Sequence, residues 1–175
     1  MDSRYLAAQE FATKRHGDQK YGELPYAVHL NTVAELAQPF GVDAMIAAQL
    51  HDVIEDTDTN FNELVDRFGF TIADAVNSVT DVKLEDRAKR KLEINQRLSA
   101  LNIEDDAARL ALIVKVCDRL SNVRSSRKSS PRHYKMYQHE HSAFKEAVYR
   151  PNLCDDLWRE LDALIIDQPQ LEPCK

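Results

Sequence analysis

Apolar residues recur at helical spacing along most of the chain. Pro25 fits the first turn of the second helix, and Asp43 fits the N-cap of the third. No segment alternates apolar and polar residues as a half-buried strand does. The spacing predicts an all-α fold with helices over 3–15, 26–38, 43–55, 60–68, 71–79, 84–101, 104–126, 131–149 and 153–166.

The chain contains no internal repeat, low-complexity tract or long linker, so we expect one domain over residues 1–168. A chain of 175 residues is long enough to bury a substantial core. Only four glycines and six prolines argue against a loop-rich β fold. We expect residues 169–175 to form a frayed C-terminal tail.

Composition narrows the classes of function. The formal charge of −6 works against general nucleic-acid binding, although it allows a small anionic ligand in a local basic pocket. No apolar run approaches the ~20 residues needed to cross a bilayer, and the first residues do not resemble a signal peptide. Three cysteines without close spacing indicate reduced thiols rather than a disulfide framework or zinc knuckle. We therefore expect a cytoplasmic protein that does not bind membranes.

The stretch AQLHDVIEDT places unusual charge in an otherwise apolar helix. On a helical wheel, Glu55 lies one turn beyond His51 and Asp56 one turn beyond Asp52, so the four side chains form one polar arc. Because ionised carboxylates are rarely buried without a partner, this arc predicts a bound cation. The alternative is a helix that ends near Val53, followed by solvated loop acids, with a core histidine before them.

Two other predicted helices carry groups of the same chemistry. His29 lies on an apolar face in PYAVHLNTVAEL, where it is either a ligand or a satisfied core residue. In LALIVKVCDRLSNVR, Asp118 and Asn122 align one turn apart on a narrow polar stripe. Asp118 is either a ligand or the partner of a neighbouring Arg or Lys. With His51 and Asp52, these residues offer mixed nitrogen and oxygen ligation that suits Mn²⁺ or Fe²⁺, with Zn²⁺ also possible.

The order His, then His-Asp, then Asp resembles that of the HD-domain metal-dependent phosphohydrolases. The stretches HGDQKYGELPYAVHL, LHDVIEDTDTNFNELVDRFG, VTD and VKVCDRLSNVR are similar to the hydrolase domain of the RelA/SpoT family, above all to the free-standing small alarmone hydrolases. The resemblance runs from about residue 11 to residue 124. It implies a single HD-domain helical bundle.

The resemblance also implies roles for individual residues. The Mn²⁺ ligands would be His29, His51, Asp52 and Asp118. The catalytic acidic pair would be Glu55 and Asp56, which orient the attacking water and exchange protons with it or with the leaving oxygen. The residues expected to bind the substrate are Lys20, Asn122 and Arg124. Lys115 and Arg119 are further candidates for stabilising the phosphoryl transition state.

The function implied by the resemblance is removal of the 3′-pyrophosphate from the small anionic nucleotides ppGpp and pppGpp. The family usually has an Arg-Lys pair in the loop before its GExPY motif, whereas this chain keeps only Lys20 before Tyr21. Two alternatives therefore stay open: an HD-domain phosphatase acting on NADPH or a nucleoside monophosphate, and a metal- or nucleotide-binding sensor without turnover. The sequence leaves the oligomeric state open.

Overall fold

The computed structural model describes residues 2–166, and within them the regular elements are helices apart from one small hairpin. This confirms the predicted all-α class, while the predicted tail over 169–175 lies outside the described residues. The elements in chain order are α1 Ser3–His16, β1 Lys20–Tyr21, β2 Leu24–Pro25, α2 Tyr26–Ala37, a 3₁₀ turn Gln38–Phe40, α3 Val42–Leu50, α4 Val53–Asp56, α5 Phe61–Phe68, α6 Phe70–Val79, α7 Arg87–Ser99, α8 Asp106–Ser129, α9 Pro131–Val148 and α10 Asp155–Ile166.

Helix boundaries follow local capping chemistry. The Asp2 carboxylate accepts hydrogen bonds from the backbone at the start of α1, and the Asn60, Asp86 and Asp105 side chains do the same for α5, α7 and α8. Gly69 ends α5 with φ +86°, a conformation that side chains with a Cβ rarely adopt. No helix within residues 2–166 is long and apolar enough to cross a bilayer.

The core forms around α8, which packs against α2, α3, α6, α9 and α10. Its buried residues run along nearly its whole length, which agrees with apolar side chains covering most of its circumference. Leu112, Leu120 and Val123 are almost fully buried. Because α8 is central, a polar side chain on one of its buried faces must find its partners inside the protein.

The hairpin before α2 was not predicted. Lys20 pairs with Pro25 and Tyr21 with Leu24, and Gly22 turns the chain with φ +61°. Strands of two residues are too short to produce an alternating pattern, so periodicity could not reveal them. The Tyr26 backbone N–H donates to the Gln19 carbonyl at 3.0 Å, which holds the hairpin to the start of α2.

The helix predicted over 43–55 is wrong in one respect, because it is interrupted at its polar arc. Helix α3 ends at Leu50, and α4 begins at Val53 after a turn at His51 and Asp52. The His51 Nδ1 atom lies 2.7 Å from the Ala48 carbonyl oxygen, the group that a continuous helix would offer to the Asp52 N–H. The side chain therefore competes with the backbone where the helix breaks.

An ion cluster ties α7, α8 and α9 together. The Glu140 carboxylate accepts hydrogen bonds from Arg87 at 2.8 Å and from Arg119 at 3.0 Å. Arg119 is 7% exposed, and its guanidinium lies over the rings of Tyr137 and Phe144. Burial alone would raise the pKa of Glu140, but hydrogen bonds and charges from the two arginines hold it below its ordinary value.

We expect Glu140→Gln to lower the free energy of unfolding by about 2 kcal/mol at pH 7, because Arg119 loses the charge that compensates its burial. A carboxyl with a lowered pKa stabilises the fold above its ordinary pKa of about 4.3 and loses this effect as the pH falls through the folded-state value. The two proteins should therefore converge in urea unfolding at low pH. Glu146→Gln, at an exposed position of α9, is the control; a difference independent of pH would contradict the assignment.

Candidate metal centre and acid pair

Two imidazoles and two carboxylates converge from α2, the turn between α3 and α4, and α8. Ligand atoms of His29, His51 and Asp118 all lie within 4.8 Å of one another. Asp52 is not part of this mutually close group of three, but its Oδ2 atom lies beside it, at 2.9 Å from His51 Nε2 and 4.0 Å from His29 Nε2. Both imidazoles are buried, and both carboxylates are one-fifth exposed. We refer to these four residues as the candidate metal cluster.

The hydrogen bond at His51 leaves its Nε2 atom available as a ligand. A carbonyl oxygen accepts hydrogen bonds but does not donate them, so His51 Nδ1 carries a proton and donates it to Ala48. The Nε2 atom is buried, and its 2.9 Å contact with Asp52 Oδ2 does not have the geometry of a hydrogen bond. On the other imidazole, His29 Nδ1 lies 3.2 Å from Ser121 Oγ, and His29 Nε2 lies 3.2 Å from Asp118 Oδ1. The contacts of the two Nδ1 atoms thus orient both Nε2 atoms so that they can bind a divalent cation.

The electrostatics of the candidate metal cluster favour positive charge. Burial alone would lower the pKa of His51, but the charge of Asp52 raises it well above its ordinary value. Burial likewise would raise the pKa of Asp52, but the charge of His51 lowers it to about 2. The Asp118 pKa is also lowered, against the effect of burial, chiefly by its hydrogen bond with His29. A cation at this point would meet two ionised carboxylates.

Two neutral donors fix the carboxylates. The Tyr26 hydroxyl donates to Asp52 Oδ2 at 2.5 Å. The Asn122 side-chain amide donates to Asp118 Oδ1 at 2.6 Å, across one turn of α8. Such partners of metal ligands fix the direction of the lone pairs that face the ion. The structure thus brings Asn122 into contact with the cluster, as the polar stripe on α8 indicated.

The acid pair, Glu55 and Asp56, lies on α4 directly after the cluster's turn. The Asp81 backbone N–H donates to Glu55 Oε2 at 2.9 Å, and burial raises the pKa of the half-buried Glu55 carboxyl. Asp56 is exposed, and its Oδ2 accepts a hydrogen bond from the Gln19 side chain at 2.8 Å. Separate donors therefore orient the two acids.

The predicted cations lie in different surroundings. Lys20 is exposed at the edge of the hairpin. Arg124 makes two hydrogen bonds of 2.7 Å with Glu160 on α10. Lys115 donates to the Val79 carbonyl oxygen at 2.9 Å. Within residues 2–166 no described contact joins Lys20 or Arg124 to the candidate metal cluster, so their roles as substrate ligands stay predictions.

Three supporting residues were missed from the sequence: Gln19, Tyr26 and Ser121. Ser121 was detectable in principle, because it follows Asp118 by three positions on the same helix face. Gln19 and Tyr26 stand within the quoted motif, but no spacing rule places either side chain beside an acid from another helix.

Comparison with protein families identifies the scaffold. The family model for the HD domain matches residues 7–150. The chain belongs to the HD-domain family. The match covers the whole candidate metal cluster and confirms the resemblance noted in the sequence.

Curated relatives of this HD-domain chain carry one activity in their names. The chain is 39% identical over 123 residues to a guanosine-3′,5′-bis(diphosphate) 3′-pyrophosphohydrolase from Aquifex aeolicus, covering 67% of this chain and 17% of that protein. It is 33% identical over 133 residues to the pyrophosphohydrolase MESH1 from Danio rerio, covering 72% of this chain and 71% of that protein. The chain therefore corresponds to a small part of the bacterial relative and to most of the animal one.

A solved structure shows the same fold. The structure of a metazoan SpoT orthologue, described as hydrolysing ppGpp, superposes with a TM-score of 0.79 at 21% identity. The superposition covers 95% of this chain and 96% of that one. This agreement confirms the predicted HD-domain helical bundle.

We expect Mn²⁺, used as a probe of the HD-domain site, to stabilise the protein against thermal unfolding. At about a hundredfold excess over its dissociation constant, a ligand that binds only the folded state adds about 2.7 kcal/mol. Asp118→Asn should lose most of this gain, because it removes one charged ligand from the cluster. Asp162→Asn removes a carboxylate that pairs with Lys145 elsewhere and should keep the gain. Equal stabilisation of both variants by Mn²⁺ would argue against the cluster as the binding site.

Proposed function

We propose that this HD-domain chain is a metal-dependent 3′-pyrophosphohydrolase acting on ppGpp and pppGpp. The observation that carries the proposal is the convergence of His29, His51 and Asp118, with Asp52 next to the imidazoles and a separately oriented acid pair close by. Relatives at 39% and 33% identity that are named for this activity support the choice of substrate. The acid pair favours a catalyst over a sensor, because binding alone does not require proton-exchanging groups.

We propose Mn²⁺ as the cofactor, held by His29, His51, Asp52 and Asp118. Two imidazole nitrogens and two carboxylates match the preferences of Mn²⁺, Fe²⁺ or Zn²⁺ rather than those of Ca²⁺ or Mg²⁺. The bound ion supplies Lewis-acid polarisation of a phosphoryl oxygen and of the attacking water. Tyr26 and Asn122 hold the two carboxylates in place for it.

In the proposed reaction, Glu55 and Asp56 transfer the protons. Water forms a bond to the ester-linked phosphorus of the 3′-diphosphate, the bond from that phosphorus to the ribose 3′ oxygen breaks, and pyrophosphate leaves. Glu55 takes one proton from the water, a role supported by its raised pKa, because a stronger base accepts that proton more readily near neutral pH. Asp56, fixed by Gln19, orients the water or returns a proton to the ribose oxygen.

The proposed substrate is a small anionic nucleotide, and the net charge of −6 supports this over nucleic acid. Lys20, Asn122 and Arg124 are the proposed substrate contacts. Use of Arg124 would require it to leave or share Glu160. We also propose a cytoplasmic location, which the free buried thiols of Cys117 and Cys154 support.

The function is tested by incubating purified, Mn²⁺-loaded protein with ppGpp and measuring pyrophosphate and inorganic phosphate separately. We expect pyrophosphate and GDP in equal amounts, and we expect chelation of the metal to abolish the reaction. NADPH and nucleoside monophosphates are assayed in parallel, since only Lys20 remains of the basic loop. Inorganic phosphate from one of these, with none of the ppGpp consumed, would replace the proposal by the alternative phosphatase.

Glu55→Gln and Asp56→Asn should each lower kcat by about 10² to 10⁴-fold, because each removes a proton-exchanging group while keeping the side-chain shape. Mn²⁺ affinity, measured by titration without substrate, should change little. Asp58→Asn alters a nearby exposed acid that pairs with Arg15, and it should retain wild-type turnover. If Glu55→Gln hydrolyses ppGpp at the wild-type rate, its assignment as the base is wrong.

A further inference from the structure

Tyr21 contacts the candidate metal cluster from the hairpin, directly after the exposed Lys20. It is half-buried, at the end of β1, and Leu24 pairs with it across the hairpin. Its ring and its hydroxyl contact different parts of the site, and neither contact is needed to close a hairpin that Gly22 already turns. These contacts therefore indicate a role for Tyr21 at the candidate metal cluster.

The ring of Tyr21 stacks on His29. The two ring centroids are 4.5 Å apart, and the planes differ by 13°. Because an imidazole coordinates through a lone pair in its own plane, a parallel ring against one face restricts the direction of His29 Nε2. The Ser121 hydroxyl near Nδ1 fixes the ring about its other axis. Stacking and hydrogen bonding together determine the orientation of this imidazole.

The hydroxyl of Tyr21 reaches the carboxylate side of the cluster through Asn122. It donates to Asn122 Oδ1 at 2.8 Å. With its oxygen so engaged, the Asn122 amide directs its nitrogen to Asp118 Oδ1 at 2.6 Å. The Asp118 carboxylate can only accept, so it sets the amide orientation with the nitrogen towards it, and the bond from Tyr21 to the amide oxygen on the other side holds Asn122 in that position.

We propose that Tyr21 is a positioning residue that aligns two ligands of the metal, His29 through its ring and Asp118 through Asn122. The inference rests on the proposed metal site and adds a role for this chain's own hairpin. Lys20 is the only Lys or Arg in the hairpin. The neutral Tyr21 beside it would align the metal ligands rather than bind a phosphate. Metal affinity then depends on a residue that is not itself a ligand.

Two variants separate the parts of the side chain. Tyr21→Phe keeps the ring and removes the hydroxyl, and we expect Mn²⁺ to bind about threefold more weakly. Tyr21→Leu removes both contacts and should weaken binding by about tenfold or more, the scale typical of groups that support metal ligands. Mn²⁺ binding is measured by electron paramagnetic resonance of the free ion, without substrate. Leu24→Ala, at the exposed partner position in the hairpin, should bind Mn²⁺ like the wild type.

A double-mutant cycle tests the path through Asn122. If the hydroxyl acts through the amide, Tyr21→Phe should weaken Mn²⁺ binding in the wild type but have no further effect in an Asn122→Ala background. An equal loss in both backgrounds would overturn that path. Wild-type Mn²⁺ affinity in Tyr21→Leu would overturn the whole proposal.

These results do not depend on the substrate. If the wild type does not hydrolyse ppGpp, the proposed function is refuted. The Mn²⁺ affinities of the Tyr21 variants would still test the positioning role. Conversely, full Mn²⁺ affinity in Tyr21→Leu would refute the positioning role even if pyrophosphate is released at the wild-type rate.

Discussion

The structure depends on one electrostatic constraint: Asp52 and Asp118 are held beside two buried imidazoles on the inner side of a helical bundle. Carboxylates in such a place need compensating positive charge. His51 supplies part of it, because its charge holds the pKa of Asp52 below its ordinary value against the effect of burial. A divalent cation would supply compensating positive charge and would be bound by imidazoles in their neutral form. The surrounding hydrogen bonds, from Tyr26 and Asn122, stabilise the carboxylates in this arrangement.

The fold converts this constraint into an active-site geometry. Central helix α8 fixes Asp118, α2 brings His29 against it, and the break between α3 and α4 presents His51 and Asp52 together. The same break starts α4 and so places the acid pair immediately after the ligands. A small hairpin then adds Tyr21 and Gln19 from outside the bundle. Helices and the turn between α3 and α4 thus carry the candidate ligands, while the segment around the hairpin carries residues that contact the candidate metal cluster and the acid pair.

The fold class and the candidate metal ligands could be predicted from the sequence because the apolar and polar side chains concerned follow helical spacing. The all-α class and the candidate ligands followed from apolar helices that carry isolated polar side chains, whereas the assignment of His29, His51, Asp52 and Asp118 to one metal site came from the resemblance to HD-domain phosphohydrolases. The break at His51 was not predictable, because it depends on a side chain competing for a backbone carbonyl. The hairpin and the hydrogen bond from Tyr26 to Asp52 could not be predicted either, because both depend on how a short segment without periodicity packs in the folded protein.

The central claim is that the four residues of the candidate metal cluster bind one divalent cation. An anomalous-difference map from crystals of the Mn²⁺-loaded protein, recorded at the manganese absorption edge, tests it most directly. We expect one strong peak bonded to His29 Nε2, His51 Nε2 and carboxylate oxygens of Asp52 and Asp118. A peak held by other residues, or no peak in crystals of protein that binds Mn²⁺ in solution, would contradict it.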